Sequence, residues 1–242
     1  MPVAVLTGGA SWFARESARL LLDDGWTIVL GEINEANLRE VLEAFPGSPV
    51  TGGRLDVTDL ADVRRFFASV TEAHGRIDAL VNIAGGTNYL QMPRRPFHEL
   101  PPEDWDLVLK PNLYGVLNCC HAVLPGMIAQ KSGVIINLAS GMGLRGSAKM
   151  STYTAAKAAI IGFTRSLCQE VGPYGIRVNS IAPGSAESRW QPDLQKGGER
   201  LPPLGSRTSA RDIANAITFL ISDKASHITG ACLDVSGGSS LH

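Results

Sequence analysis

Short apolar runs and longer amphipathic segments alternate from one end of the chain to the other. Val3–Thr7 reads as a strand, and Phe13 to Asp24 as a helix that Gly25 ends. Trp26–Leu30 is a second strand, followed by a helix from about Asn34 to Phe45. Val50 to Leu55 makes a third strand, weakened by Gly52 and Gly53, and Asp59 caps a helix running to about His74. Ile77–Ile83 is a fourth strand ending at Gly85 and Gly86. The span 87–102 holds four prolines and no period, which predicts a loop. Helices follow from about Glu103 and from Asn112 to about Gln130, then a strand over Val134–Leu138. A Gly-rich loop leads to a long helix that opens at Ser151 or Thr152 and ends near Gly172. Ile176–Ile181 is a strand, 182–206 a Pro-, Gly- and charge-rich loop, Ala210–Ser222 a helix, and Ala231–Val235 the last strand.

Repeated strand–helix units with continuously apolar strands predict a doubly wound α/β domain, its parallel sheet covered on both faces. No linker, repeat or low-complexity tract divides the chain, so 1–242 reads as one domain. In such sheets ligands bind at the carboxyl ends of the strands. Gly8, Gly85 and Ser140 all fall at those ends, which puts them along one edge.

Composition narrows the function classes. At 242 residues the chain can bury one substantial core, and a net charge of −1 gives no bulk attraction to nucleic acid or an anionic membrane. No stretch approaches the ~20 apolar residues that span a bilayer, and the amino-terminal run lacks the charged flank of a signal peptide. Cys119, Cys120, Cys168 and Cys232 have neither disulfide-framework nor zinc spacing and read as small buried apolar residues, so no metal is expected. A cytoplasmic location is the expectation.

The stretch from Ser140 to Lys157 carries candidate chemistry. Tyr153 and Lys157 are four apart, on one face of a helix, and Ser140 stands at a strand end. A free phenol has a pKa of about 10; a neighbouring ammonium favours the phenolate and lowers it. Ser140 can donate to a substrate oxygen, so the trio suits proton transfer to or from an alcohol or carbonyl oxygen. Tyr-x-x-x-Lys alone is a weak signal, and an exposed helix that happens to carry both residues is its plainer reading.

Other pieces decide the matter. Thr7-Gly8-Gly9-Ala10-Ser11, Asp56-Val57, Asn82-Ile83-Ala84-Gly85, Asn112, Ser140, Tyr153-x-x-x-Lys157, Asn179-x-x-x-Pro183-Gly184 and Ser236-Gly237-Gly238 follow one another in order. In this the chain resembles the short-chain dehydrogenase/reductase family over nearly its whole length. The resemblance implies a single-domain Rossmann fold with a seven-stranded parallel sheet. It implies an oxidoreductase moving a hydride between nicotinamide and a secondary alcohol or ketone, with Tyr153 as general acid/base. Lys157 would lower the pKa of Tyr153 and bind the nicotinamide ribose, Ser140 would orient the substrate oxygen, and Asn112 would hold a water that links Lys157 to solvent. Gly8, Ser11, Trp12 and Phe13 would lie along the pyrophosphate, Asp56 and Val57 on the adenine, and Asn82, Ala84 and Gly85 on the adenosine ribose. Pro183, Ala186 and Ser188 would meet the nicotinamide. Glu32, after the second strand, can accept from ribose hydroxyls and repels a 2′-phosphate, which favours NAD over NADP. A homo-oligomer, by analogy a tetramer through the helices around Asn112–Gln130 and Ser151–Val171, is also implied.

Three departures qualify that picture. Trp12 and Ala14 stand where the family carries glycines; the indole either turns outward or folds over the pyrophosphate groove. Pro111, just before Asn112, predicts a break or kink there. The connection from Gly85 to Trp105 is longer than usual in the family, and Tyr89, Met92, Arg94, Arg95 and Phe97 either line a pocket or decorate the surface. The loop from Ser185 to Leu204, with Arg189 and Trp190, would close over substrate. Two rival readings stand beside the dehydrogenase: a nicotinamide-free enzyme resembling halohydrin dehalogenases, suggested by Trp12-Phe13, and a non-catalytic ligand-binding homologue, suggested by the glycine missing at position 12.

Overall fold

A computed structural model describes residues 1–86, 94–185 and 201–240. The strands are β1 (Val3–Thr7), β2 (Thr27–Glu32), β3 (Val50–Arg54), β4 (Ala79–Asn82), β5 (Gly133–Leu138), β6 (Ile176–Pro183) and β7 (Cys232–Val235). They form one seven-stranded sheet in the order β3-β2-β1-β4-β5-β6-β7, with every neighbouring pair parallel. The strand order reverses between β1 and β4, which is the switch point of the expected doubly wound α/β fold. Around the sheet lie α1 (Trp12–Asp23), α2 (Glu35–Glu43), α3 (Leu60–His74), α4 (Trp105–Leu109), α5 (Gly115–Gln130), α6 (Gly141–Arg145), α7 (Ser151–Val171) and α8 (Ala210–Ile221).

Strand side chains alternate faces, so each apolar run feeds two cores. Val5, Leu80, Ile135 and Val178 pack with Val63, Val123 and Ile160 of α3, α5 and α7. Leu6, Val81, Ile136 and Ile181 pack on the other face with Ala18, Leu38 and Ile217 of α1, α2 and α8. Helix starts follow local chemistry. Ser11 accepts from the Ala14 N–H, Asn34 from the Ala36 and Asn37 N–H groups, and Asp59 from those of Ala61 and Asp62.

Three elements differ from the sequence reading. Gly52, one of the two glycines that weaken β3 in the sequence, is a packing residue: a Cβ there would lie 2.7 Å from the Leu30 carbonyl oxygen and 2.9 Å from Leu38 Cδ1. The expected break at Pro111 is a π turn, Lys110–Tyr114, joining α4 to α5. Proline brings no N–H to the ladder, and a wider turn absorbs the loss. The Gly-rich segment after Ser140 is not wholly loop, since Ser140 caps the short helix α6.

Gly8, just past β1, has φ +65°, and a Cβ there would lie 2.9 Å from Ala84 Cα. Gly8→Ala is therefore expected to lose about 1–3 kcal/mol, read as a lower urea midpoint at unchanged m-value.

Candidate active site

The carboxyl ends of β4, β5 and β6 and the start of α7 meet at one edge. β5 ends at Leu138, and Ser140 follows in extended backbone (φ −166°, ψ 149°) with its Oγ accepting from the Met142 N–H at 3.2 Å. α6 then crosses α7 so closely that a Cβ on Gly143 would sit 2.8 Å from the Lys157 carbonyl carbon. This approach sets Ser140 against the first turn of α7, where it comes near enough to Tyr153 to favour the phenolate. One turn on, Lys157 is 3 % exposed and its Nζ donates to the Leu138 carbonyl at 2.8 Å, 5.7 Å from the centre of the Tyr153 ring.

Burial governs how the pair ionises. It pushes the Lys157 ammonium down to about 7. Burial also raises the Tyr153 phenol, an effect the Ser140 hydrogen bond only partly offsets. The expected lowering of Tyr153 by Lys157 is thus reversed in direction, because desolvation of the phenol dominates. A phenol that keeps its proton, beside an amine balanced near neutrality, is equipped to hand a proton to an oxygen and be resupplied.

Asn112 lies in the π turn, fully buried. Its Oδ1 accepts from the Gly86 N–H at 2.7 Å, and its Nδ2 donates to the carbonyls of Gly86 and Val108, each at 3.0 Å. Both amide donors are therefore spent on backbone, and the side chain clamps the loop leaving β4. A Cβ on Gly85 (φ +123°) would meet Asn112 Oδ1 at 2.7 Å, so that loop and that asparagine fit only with glycine there.

The β1–α1 loop is held by polar groups. Thr7 Oγ1 accepts from the Ile83 and Ala84 N–H groups, each at 3.1 Å, tying β1 to the loop after β4. Glu32, partly exposed at the end of β2, accepts from the Ala10 N–H through Oε2 and from the Asn34 N–H through Oε1, both at 3.1 Å. Ser11 caps α1. Trp12 is 39 % exposed, whereas Phe13 packs against the apolar core beneath α1. The two aromatics enter different surroundings. The N–H groups of Trp12 and Phe13 open the first turn of a twelve-residue helix, where no intrahelical acceptor exists.

Asp56 accepts the Thr58 N–H and hydroxyl through Oδ1, and Val57, buried, receives the Asn118 Nδ2 on its carbonyl at 2.9 Å. The Asp56 N–H donates to Asp62. Burial pushes the Asp62 carboxyl up, but this N–H, Arg65 and Arg54 outweigh it and hold the group below its ordinary value. Asn82, expected at the adenosine ribose, is 2 % exposed and donates to Asn137 and Cys120, so its side chain belongs to the interior. The backbone from Ile83 to Gly86 remains to meet a ligand there. Pro183 ends β6. Phe97 stacks on Trp105 at 5.4 Å and is half exposed, which places it on the surface, as are Arg94 and Arg95. Ala186, Ser188, Arg189, Trp190, Tyr89 and Met92 lie outside the described residues.

Sequence reasoning passed over Asn137 and Thr164. Asn137 is the one polar residue in the run Val134–Leu138, and an amide inside a buried strand must find partners; that was the available signal. Among the described residues no group of three metal-binding side chains occurs, and no helix is long and apolar enough to cross a membrane.

Comparisons with known proteins bear on this edge as a whole. The profile of the family described as enoyl-(acyl carrier protein) reductase matches residues 8–240. The 3-oxoacyl-(acyl-carrier-protein) reductase of Thermotoga maritima is 34 % identical over 98 % of this chain and 96 % of its own. An NAD+-bound xylitol dehydrogenase superimposes with a TM-score of 0.88 at 30 % identity, covering 98 % of both chains. A gluconate 5-dehydrogenase from Burkholderia cenocepacia J2315, in complex with NADP and tartrate, reaches 0.91 at 29 % identity over 100 % of this chain and 96 % of that one.

The depressed Lys157 pKa has a consequence for stability. From about 7 up to 10.5 the unfolded chain holds a proton on this lysine that the fold releases, so the lysine's cost to stability shrinks as pH rises through that window. Relative to Lys157→Met, the wild type is expected to gain stability steadily between those pH values, measured by urea unfolding of both proteins; parallel curves would refute the shift.

Proposed function

Since the chain belongs to the short-chain dehydrogenase/reductase family of oxidoreductases, we propose that it is an NAD-dependent enzyme interconverting a secondary alcohol and a ketone. The observation that carries this is the Tyr153 phenol, acted on by Ser140, beside the buried Lys157 amine that is tied to the Leu138 carbonyl at the carboxyl edge of the sheet. Ser140 holds the substrate oxygen; Tyr153 gives it a proton during reduction or takes one during oxidation; Lys157 keeps a positive charge available next to the phenol. The nicotinamide, when bound, supplies the hydride acceptor or donor.

The residues present fit such a cofactor. The uncapped N–H groups of Trp12 and Phe13 suit a pyrophosphate. Among the described residues, no atom lies within 4 Å of where a Cβ on Gly86 (φ +112°) would be. Gly8 and Ser11 would flank the phosphates, Asp56 and Val57 the adenine, and the backbone at Ala84 and Gly85 the ribose. Tyr153 and Lys157 would take the nicotinamide ribose, and Pro183, Ala186 and Ser188 the nicotinamide. Asn112 acts here by clamping Gly86. Relatives bound to NAD and to NADP are equally alike, so likeness does not choose between them. Glu32 supports NAD: two backbone N–H groups fix its carboxylate, with lone pairs left for ribose hydroxyls and a charge that repels a 2′-phosphate. The nearby Arg15 is engaged by Glu40 at 3.6 Å. A groove lined by Leu117, Leu124, Phe163 and Leu167 on α5 and α7, rimmed by Arg64 and Glu170, supports a homo-oligomer, by family analogy a tetramer.

Fluorescence titration is expected to give NADH at least about tenfold tighter than NADPH; no response to either nucleotide would overturn the reading. Trp12→Gly is expected to leave the NADH Kd within about twofold, as for a surface change, whereas a large gain would show the indole obstructing the groove. Tyr153→Phe should still bind NADH while losing about 10²- to 10⁴-fold in turnover on a panel of secondary alcohols and ketones.

A further inference from the structure

One register row crosses all seven strands: Gly53, Gly31, Thr7, Asn82, Asn137, Ser180 and Cys232 are successive partners. Two residues back, on the same face, the central strands carry Val5, Leu80, Ile135 and Val178, all apolar. The row therefore puts polar side chains directly beneath the site edge, on the face that packs against α5 and α7. Thr7, Asn82, Asn137 and Ser180 are all at most 2 % exposed. Asn82 Nδ2 donates to Asn137 Oδ1 at 2.9 Å and to Cys120 Sγ at 3.4 Å; Asn137 Nδ2 donates to Thr164 Oγ1 of α7 at 3.0 Å. Asn82 Oδ1 is buried and has no hydrogen-bond partner among the described residues. Apolar residues of similar size would fill this space without unpaired polar atoms, so stability alone does not account for the amides.

We infer that Asn137, with Asn82 and Thr164, forms a positioning network that fixes α7 against β5 and so holds Tyr153 on Ser140. α7 is tied to β5 by hydrogen bonds at two places: the Lys157 Nζ on the Leu138 carbonyl, and the Thr164 hydroxyl on Asn137. The two helix residues are seven apart, about two turns, and so share a face. Apolar packing is non-directional and resists small slides of α7 along the sheet less than a hydrogen bond of defined length and angle does. One tie leaves α7 free to pivot about Lys157, and Tyr153 lies one turn from that pivot. The second tie removes the pivot. Asn82 extends the network to β4, whose following loop is clamped by Asn112, so loop and proton-transfer residues share one frame. The inference rests on Tyr153 being the working group of the proposed oxidoreductase.

Thr164→Val keeps the shape and removes the hydroxyl; Thr164→Ser restores it. The readout is the tyrosinate absorbance titration of the nucleotide-free protein, with the Tyr153→Phe curve subtracted from each. Thr164→Val is expected to raise the Tyr153 midpoint by about one pH unit through loss of the Ser140 bond, and Thr164→Ser to return it to the wild-type value. A Thr164→Val protein with a lower Tm but an unshifted midpoint would overturn the inference and leave the network a plain packing feature. Asn137→Leu is expected to shift the midpoint in the same direction, and Thr164→Val decides the matter if that harsher variant does not fold. NADH titration of the wild type is read separately: its failure would sink the proposed function, while the midpoint shift would still stand or fall alone.

Discussion

Burying an ammonium group in an apolar layer is costly unless it finds an acceptor, and most of the site geometry depends on the one Lys157 finds. Its Nζ reaches the Leu138 carbonyl at the point where β5 ends, and that bond is one of the ties between α7 and the sheet. Ser140 is two residues further along the strand direction, and Tyr153 is one turn back along the helix. A strand end, a helix turn and a lysine long enough to span them bring the two hydroxyls together. The same burial that makes Lys157 seek the carbonyl drives its pKa down and that of the phenol up. Structure and ionisation have a common cause.

Elsewhere on this edge, polar side chains hold backbone loops in place. Thr7 takes two N–H groups of the loop after β4, Asn112 takes the N–H and carbonyl of Gly86, and Glu32 takes the N–H groups of Ala10 and Asn34. Loops at strand ends have backbone groups that no ladder satisfies, and each of these side chains supplies the missing partner. Glycine at positions 8 and 85 then lets the chain run through conformations and approaches that a Cβ would block. Ligand-facing backbone is thereby fixed in advance, which limits the ordering cost of binding.

Much of this was legible in the residues. Strand–helix alternation foretold the doubly wound sheet, and the four-residue spacing of Tyr153 and Lys157 foretold their shared face. The motif of Asn82 suggests a ligand contact, and what only the structure adds is that its side chain bonds Asn137 and Cys120 inside the fold. Gly52 and Gly53 looked like flaws in β3, yet the tight stacking of β2, β3 and α2 leaves no room for a side chain at Gly52. The two possible positions of the Trp12 indole could be stated from the sequence but not chosen between. Its exposure depends on how α1 leaves the Ser11 cap, with Phe13 drawn into the core.

Local periodicity and spacing thus determined which residues lie on strands, which on helices, and which share a face, because those follow from φ/ψ geometry repeated along a short stretch. Only the tertiary structure decided the register that lines up Thr7, Asn82, Asn137 and Ser180, the tie from Asn137 to Thr164, and the direction of the Tyr153 and Lys157 pKa shifts. Register, long-range hydrogen bonds and desolvation all depend on atoms contributed by segments far apart in the chain. For that reason the chemistry expected of Tyr153 was readable from the stretch Ser140 to Lys157, while its ionisation was set by burial that the whole fold supplies.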